Sequence, residues 1–434
     1  MLKRSVWLAL IVVLALGVLP SVSAQEGENV CGTDEAATVT FIAGTVGSEH
    51  DVAVELGNRF MEACPNITVN VVERPTSTTE TLAQYQQFFD AQSGELDVFQ
   101  IDVAWPGLVA EHVLDMNEYL DGEFLGTFYP AVLDAYTVQG RLVGLPWFAS
   151  AGVLFYRTDL LEKYGLEVPQ TWDELYTAAK AIQDGERAEN PDFWGFVFQG
   201  HAYEGLTCDA LEWQAASDGG VILTADGVID VNNENAIAIF DEVASWVGDV
   251  VPEAVLTFQE EDARAVWHAG NAAFMRNWPY AYVLGQADDS VIKDKFDVVA
   301  LPGKEPGMSA ATLGGWGLAV SKYSDNADAA VAFVKWVMDI DQQVWFTLQR
   351  SELPVQPAVF EAPEIAEQLP FLAKFSDALN FATPRPTTAA GEQYATVSEL
   401  YYTAVHDVLA GNKDAATAME DLELALADLG FELP

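Results

Sequence analysis

Thr38-Val-Thr-Phe-Ile-Ala43, then Glu49 to Ala63, then Ile67-Thr-Val-Asn-Val-Val72 is the stretch that decides the architecture. The outer segments are short, apolar and rich in β-branched residues, and the middle one carries apolar residues at helical spacing. Strand, helix and strand in that order make a βαβ unit with a parallel pair. A second helix is expected over about Thr78 to Ser93, and Asp97-Val-Phe-Gln-Ile101 reads as the next buried strand, ending on Asp102. Ligands of open α/β sheets gather at the carboxyl ends of strands, so Asp102 is well placed to meet one. The fold class is α/β.

Working outward, Leu145-Pro-Trp-Phe-Ala-Ser-Ala-Gly-Val-Leu-Phe-Tyr156 is a long extended stretch able to carry the chain from one lobe to another. Asp159 to Tyr164 starts a helix, Thr171-Trp-Asp-Glu174 opens the next (Trp172 to Asp184) as a capping box, and Phe193 to Gln199 is strand-like. Thr224-Ala-Asp-Gly227 is a hairpin-turn signal. Phe296 to Leu301 is a strand, and Leu318-Ala-Val-Ser321 with the helix Ala327 to Met338 reads as a return to the first lobe. The tail beyond Glu361 is helical, broken at Pro384-Arg-Pro386 and closed by an amphipathic run from Ala415 to Leu429. A chain of 434 residues exceeds what one core usually serves. Two lobes are expected: residues 25–148 with 312–357, and 150–308 with 360–434.

Lys3-Arg4, the apolar run Val6 to Leu19 and Ser21-Val-Ser-Ala24 have the layout of a cleaved signal peptide, residues 1–24. The run is too short to span a membrane, so a secreted, periplasmic or otherwise extracytoplasmic protein is expected. A formal charge of −46 repels nucleic acid and anionic membranes. Three cysteines in an exported chain leave at least one unpaired; Cys31 and Cys64 flank the first strand and helix and could meet, whereas Cys208 reads as a buried thiol. With no CxxC pair and no His/Cys cluster, neither metal nor cofactor is indicated.

Motifs of catalysis are absent where they are easiest to see: there is no HExxH, no GxSxG, no Walker loop and no GxGxxG after a strand. A glycosidase needs only two carboxylates, so a secreted glycan hydrolase stays open as an alternative. The acidity alone suggests a receptor for a polyamine as another. More telling are Gly270-Asn-Ala-Ala-Phe-Met-Arg-Asn-Trp-Pro-Tyr280 and Ala311-Thr-Leu-Gly-Gly-Trp-Gly317. Each ends an apolar run on aromatic rings, flanked by Pro279 or by glycines that let backbone come close to a ligand. Aromatic plates for the C–H faces of a pyranose, with fixed polar groups for its rim, are what a sugar site needs.

Taken with the leader and the βαβ opening, these blocks resemble the extracellular solute-binding proteins of sugar ABC importers, in their trehalose/maltose-binding branch. The likeness covers nearly the whole mature chain. It is densest at Asp97 to Trp105, Asp159 to Gly165, Asn190 to Val197 with Tyr203 to Leu206, Gly270 to Tyr280, Ala310 to Asn326 and Pro384-Arg-Pro386. The resemblance implies a two-lobed periplasmic-binding-protein type II fold that closes by hinge bending on a disaccharide or glucose and presents it to permease subunits, without turnover and as a monomer. It implies that Glu49 and Asp102 accept hydrogen bonds from sugar hydroxyls, that Thr76 adds a weaker contact and that Arg385 donates its fork. Trp278, Tyr280 and Trp316 would stack on the sugar, with Gly314 and Gly315 offering backbone amides. Glu49, Asp102 and Trp316 would belong to one lobe, Trp278, Tyr280 and Arg385 to the other. Two departures stand out: Phe148 and Ser150 replace Tyr and Asp in the first crossing, and Thr81 and Leu82 replace paired Arg. The chain is therefore expected to lack a phenol, a carboxylate and a guanidinium at one end of the site.

Overall fold

The computed structural model describes residues 30–434, apart from the side chains at 376 and 377; the expected leader lies outside the described residues. The opening follows the sequence reading closely. Strand β1 (Ala37–Ala43), helix α1 (Glu49–Ala63), β2 (Ile67–Glu73), α2 (Thr78–Asp90) and β3 (Val98–Asp102) form in turn. β1 lies between β2 and β3, parallel to both. Helix α1 buries Val52, Ala53, Leu56 and Phe60, the stripe its spacing prescribes. Ser77 caps α2 by accepting from the Glu80 amide.

Strand β4 (Leu145–Ala151) runs into β5 (Val153–Arg157), and the chain changes sheet between them. A second, four-stranded sheet has β5 at its centre, antiparallel to β8 (Phe296–Val299) on one side and to β7 (Ala272–Asn277) on the other, with β6 (Trp194–Val197) parallel beyond β7. Helix α3 (Trp172–Glu186) packs on β6. Its box is shifted by one residue: Thr171 accepts from the Glu174 amide, while the Glu174 carboxylate reaches past Thr171 to the Gln170 amide. Helix α4 (Glu204–Ala216) is buried on almost every residue and packs against α5 (Glu234–Trp246) and the later α9 (Tyr394–Leu409). Helix α6 (Glu260–His268) covers β7.

The return strand is longer than its apolar core suggested. β9 (Ala311–Val320) pairs antiparallel with β3 through Trp316–Val320 and with β4 through Leu313–Leu318. Its first two residues pair with the short β10 (Ala382–Thr383). Glycine is obligatory at one point of this strand: Gly315 has φ +133°, and a Cβ there would stand 2.5 Å from the Phe148 carbonyl oxygen. Helices α7 (Ala327–Val337) and α8 (Ile340–Arg350) then pack against α1, and α10 (Ala415–Asp428) closes the chain against α9.

Three segments thus pass side by side between the sheets. Leu353 exchanges both backbone hydrogen bonds with Ala149, and Ala149 faces Gly315. The third passage, Ser351 to Leu353, starts on a left-handed Ser351 (φ 51°) whose hydroxyl donates to the Pro279 carbonyl oxygen at 2.9 Å. Among the described residues no helix is long and apolar enough to cross a membrane.

Cys31 and Cys64 are bridged, and Cys208 is a buried free thiol. The bridge ties the segment before β1 to the end of α1. Thiol titration of the unfolded, unreduced protein is expected to find one thiol and, after reduction, three; three before reduction would reject the bridge. Cys31→Ser should cost roughly 3–4 kcal/mol of stability in denaturant melts, the chain-entropy worth of a loop of this length.

Candidate ligand-binding site

A cavity at the carboxyl end of β3, between the two sheets, is lined by Glu49, Thr76, Asp102, Phe148, Ser150, Trp278, Tyr280, Gly314, Gly315, Trp316 and Arg385. The residues singled out in the sequence are thereby brought together from separate stretches of chain. Trp278, directly after β7, and Trp316, on β9, are half-buried. Each has a guanidinium over its ring at 4.0 Å, Arg276 over Trp278 and Arg74 over Trp316. Such contacts fix the plane of each indole. Gly314 lies close to Trp278, where a Cβ would come within 3.0 Å of the ring.

Tyr280 differs from the expected exposed plate. It is 2% exposed, its hydroxyl donates to Glu261 Oε1 at 2.7 Å, and its ring lies against Gly47 in the turn before α1. Burial and the Glu261 carboxylate raise its pKa well above the phenol range, so it remains a neutral donor.

The carboxylates are more committed than the sequence suggested. Glu49 accepts from Gln100 Nε2 at 2.6 Å, from the Val46 amide at 3.3 Å and from Arg74 Nη2 at 3.5 Å. Thr76 shares a hydrogen bond with Thr45 at 3.0 Å. Asp102 Oδ1 caps the turn after β3 by accepting from the Ala104 amide at 2.7 Å, and also receives Arg385 Nη2 at 2.6 Å. The other arm of Arg385 donates to Glu204 Oε1 at 2.8 Å. Arg385 is assigned by sequence to the second lobe, yet it follows β10, which pairs with β9 of the first sheet, and its fork spans carboxylates on both sides. Both arms are occupied by protein oxygens.

Sequence reasoning missed Val46, Arg74, Thr78, Glu204, Gly205, Cys208, Glu260, Arg350 and Glu352, which line the same cavity. Two of them correct the expected deficit. Thr81 is fully buried, donating to the Pro75 and Ser77 carbonyl oxygens, and Arg74 Nη1 approaches its hydroxyl at 3.5 Å; the guanidinium missing from α2 is supplied by the end of β2. Leu82 belongs to the core. Ser150 stands beside the carboxyl of Glu352, which comes from the neighbouring passage and whose Oε1 receives Arg350 Nη2 at 3.3 Å. The phenol is not replaced: Phe148 packs on Trp147 and Phe346.

Behind Trp278, the buried Arg276 binds Glu212 through Nε and Nη2 at 2.8 and 2.6 Å, Gln199 Oε1 at 2.9 Å and Asp209 at 3.0 Å. The Glu212 carboxylate also accepts from the Thr312 amide at 3.0 Å. Burial pushes Asp209 well above the usual carboxylate range against the pull of Arg276.

Glu352 is a pH-sensitive group in the cavity. Burial raises its pKa from 4.5 to about 8, with Glu49 adding to the rise and Arg350 and Ser150 opposing it. The folded state thus holds a proton that the unfolded chain releases, and stability falls as pH rises between 4.5 and 8. Between pH 5 and pH 9 the wild type should lose roughly 3–5 kcal/mol more stability than Glu352→Gln in urea melts. Parallel pH profiles would reject this.

The fold has counterparts among known proteins. The bacterial extracellular solute-binding proteins match residues 47–344. A probable ABC transporter-binding protein of Deinococcus radiodurans is 42% identical over 393 residues, covering 90% of this chain and 93% of its own. The maltose-bound MalE3 of T. maritima superposes with a TM-score of 0.86 at 37% identity, over 91% of this chain and all of that one. The GacH receptor of Streptomyces glaucescens, solved unliganded and with acarbose, shares the fold at a TM-score of 0.79 and 23% identity, over 91% of this chain and 98% of that one. The chain belongs to the bacterial extracellular solute-binding protein family, the two-lobed receptors of ABC transporters.

Proposed function

We propose that the protein is the sugar receptor of an ABC importer, binding a maltose- or trehalose-type disaccharide or glucose without turnover and presenting it to permease subunits. The observation that carries this reading is the pair of half-buried indoles, Trp278 and Trp316, brought into one cavity with fixed carboxyl and guanidinium groups. Indole faces suit the C–H faces of a pyranose, and the charged groups suit its hydroxyl rim. MalE3, 37% identical to this chain, binds maltose, which supports maltose as the ligand to test first.

The lobes divide at residues 148/150, 308/312 and 357/360, and closure bends the passages that cross near Ala149 and Gly315. Contacts drawn from both sheets give a ligand more affinity for the closed form than for the open one. That difference is the signal a permease reads. The receptor acts as a monomer.

Maltose, trehalose or glucose at 100 times its dissociation constant should stabilise the protein by roughly 2.7 kcal/mol in thermal shift. Chromatography of the same samples should show the disaccharides intact; free glucose accumulating in proportion to enzyme and time would replace the receptor reading with a glycan hydrolase. A shift produced by polyamines and by none of the three sugars would replace it with a polyamine receptor.

Trp316→Ala removes one plate and should weaken every bound sugar at least tenfold, ~1.4 kcal/mol, in titration calorimetry. An unchanged affinity would place the sugar elsewhere.

A further inference from the structure

The charged groups around the cavity balance unevenly. Arg74 is paired with Glu49, Arg350 with Glu352, and Arg385 with both Asp102 and Glu204. Among the described residues, each guanidinium on the cavity wall is thus already engaged. Five carboxyls stand against these three cations, Glu352 keeping its proton at pH 7 by burial, and Arg276 behind the wall is itself shared by Asp209 and Glu212.

Two of those carboxyls have unused capacity. Glu260, at the start of α6, and Glu352, on the third passage, are 7% and 2% exposed and line the cavity from different elements. One oxygen of each, Oε2, is buried without a well-aligned hydrogen bond: Tyr203 and Trp278 stand near Glu260, and the Ser150 hydroxyl stands near Glu352, but none is aligned to satisfy that oxygen. A buried polar oxygen left unpaired costs about 1–3 kcal/mol, and poorly aligned neighbours offset only part of that cost at these two atoms. A ligand that brings hydroxyl hydrogens to them would offset the rest.

Resting on the reading of the site as a sugar cleft, we propose that Glu260 and Glu352 are the ligand's principal hydrogen-bonding carboxyl groups, and that the site takes uncharged or cationic sugars while excluding acidic ones. A uronate would bring a carboxylate into a wall with more carboxyls than guanidiniums, each guanidinium already ion-paired, with the Arg74 and Arg350 Nε donors left over. It would have to share a guanidinium that already neutralises a protein carboxyl, and a second carboxylate beside a buried pair adds like-charge repulsion and desolvation cost. An ammonium in the same place adds donors and meets the surplus.

Calorimetry at pH 7 tests this with glucose, maltose and trehalose, each compared with the uronate obtained by oxidising a C6 hydroxymethyl group and with the matching 6-amino-6-deoxy sugar. For each neutral sugar that binds, the uronate is expected to be at least 100-fold weaker and the amino sugar within about tenfold. A uronate within tenfold of its parent overturns the exclusion. Equal loss of uronate and amino sugar overturns it too, since shape at C6 rather than charge would then decide. Glu260→Leu and Glu352→Leu should each weaken the neutral sugar roughly 3- to 10-fold, the range of a net hydrogen bond to a neutral group. Variants that melt cooperatively and bind like the wild type overturn the role of those two residues. Should neither variant fold, the wild-type arm still decides the charge selectivity. Failure of all three neutral sugars to bind would overturn the sugar-receptor reading, and this inference with it.

Discussion

Arg385 holds the two halves of the molecule together at the cavity. Its guanidinium is buried between Asp102, at the end of a strand in the first sheet, and Glu204, at the start of the helix most deeply buried in the second half. Neither carboxylate is held by the arginine alone: Asp102 also accepts from the Ala104 amide, and Glu204 accepts from the Tyr394 and Ser398 hydroxyls. An ion of this kind, taken out of water, is tolerated only with its partners in place. Separating the halves would require water to enter and solvate all three groups. The observed arrangement therefore depends on desolvated charge.

The passages beneath it join the two sheets. Leu353, Ala149 and Gly315 sit side by side as a small sheet, so the halves are joined by backbone hydrogen bonds and can turn only by bending them together. Gly315 permits the closest approach, and Ser351 takes a left-handed turn that a side-chain hydrogen bond to Pro279 holds. Glu352 lies within this joint, between Ser351 and Leu353. A carboxyl there senses both the cavity and the hinge.

Much of the architecture was legible because its signals are local. Strand and helix periods in residues 38–102 placed five elements with boundaries shifted by only a few residues, whereas the glycines before Trp316, read as letting backbone approach a ligand, include one, Gly315, that instead admits the neighbouring strand at Phe148. Resemblance supplied what periodicity could not, bringing Glu49, Trp278 and Arg385 into one set across more than 300 residues of sequence. The residues it missed carry no comparable mark. Glu204, Glu260 and Glu352 are three among 66 acidic residues, and only the tertiary fold distinguishes them from solvated surface. Arg74 was within reach: it follows β2 as Asp102 ends β3, and the rule that ligands gather at strand carboxyl ends applies to both.

Reading substitutions position by position also misjudged the chemistry of the site. A carboxylate absent at Ser150 and a guanidinium absent from the start of α2 implied a poorer hydrogen-bonding surface. In the folded chain Glu352 stands beside Ser150 and Arg74 beside Thr81, so both functional groups are present, borne by other segments. What a cavity offers a ligand is set by which atoms reach it and which remain unpartnered there. By that measure the distinctive property of this cleft is its two poorly satisfied carboxyl oxygens, set among guanidiniums that are each ion-paired yet keep unpartnered Nε donors at Arg74 and Arg350.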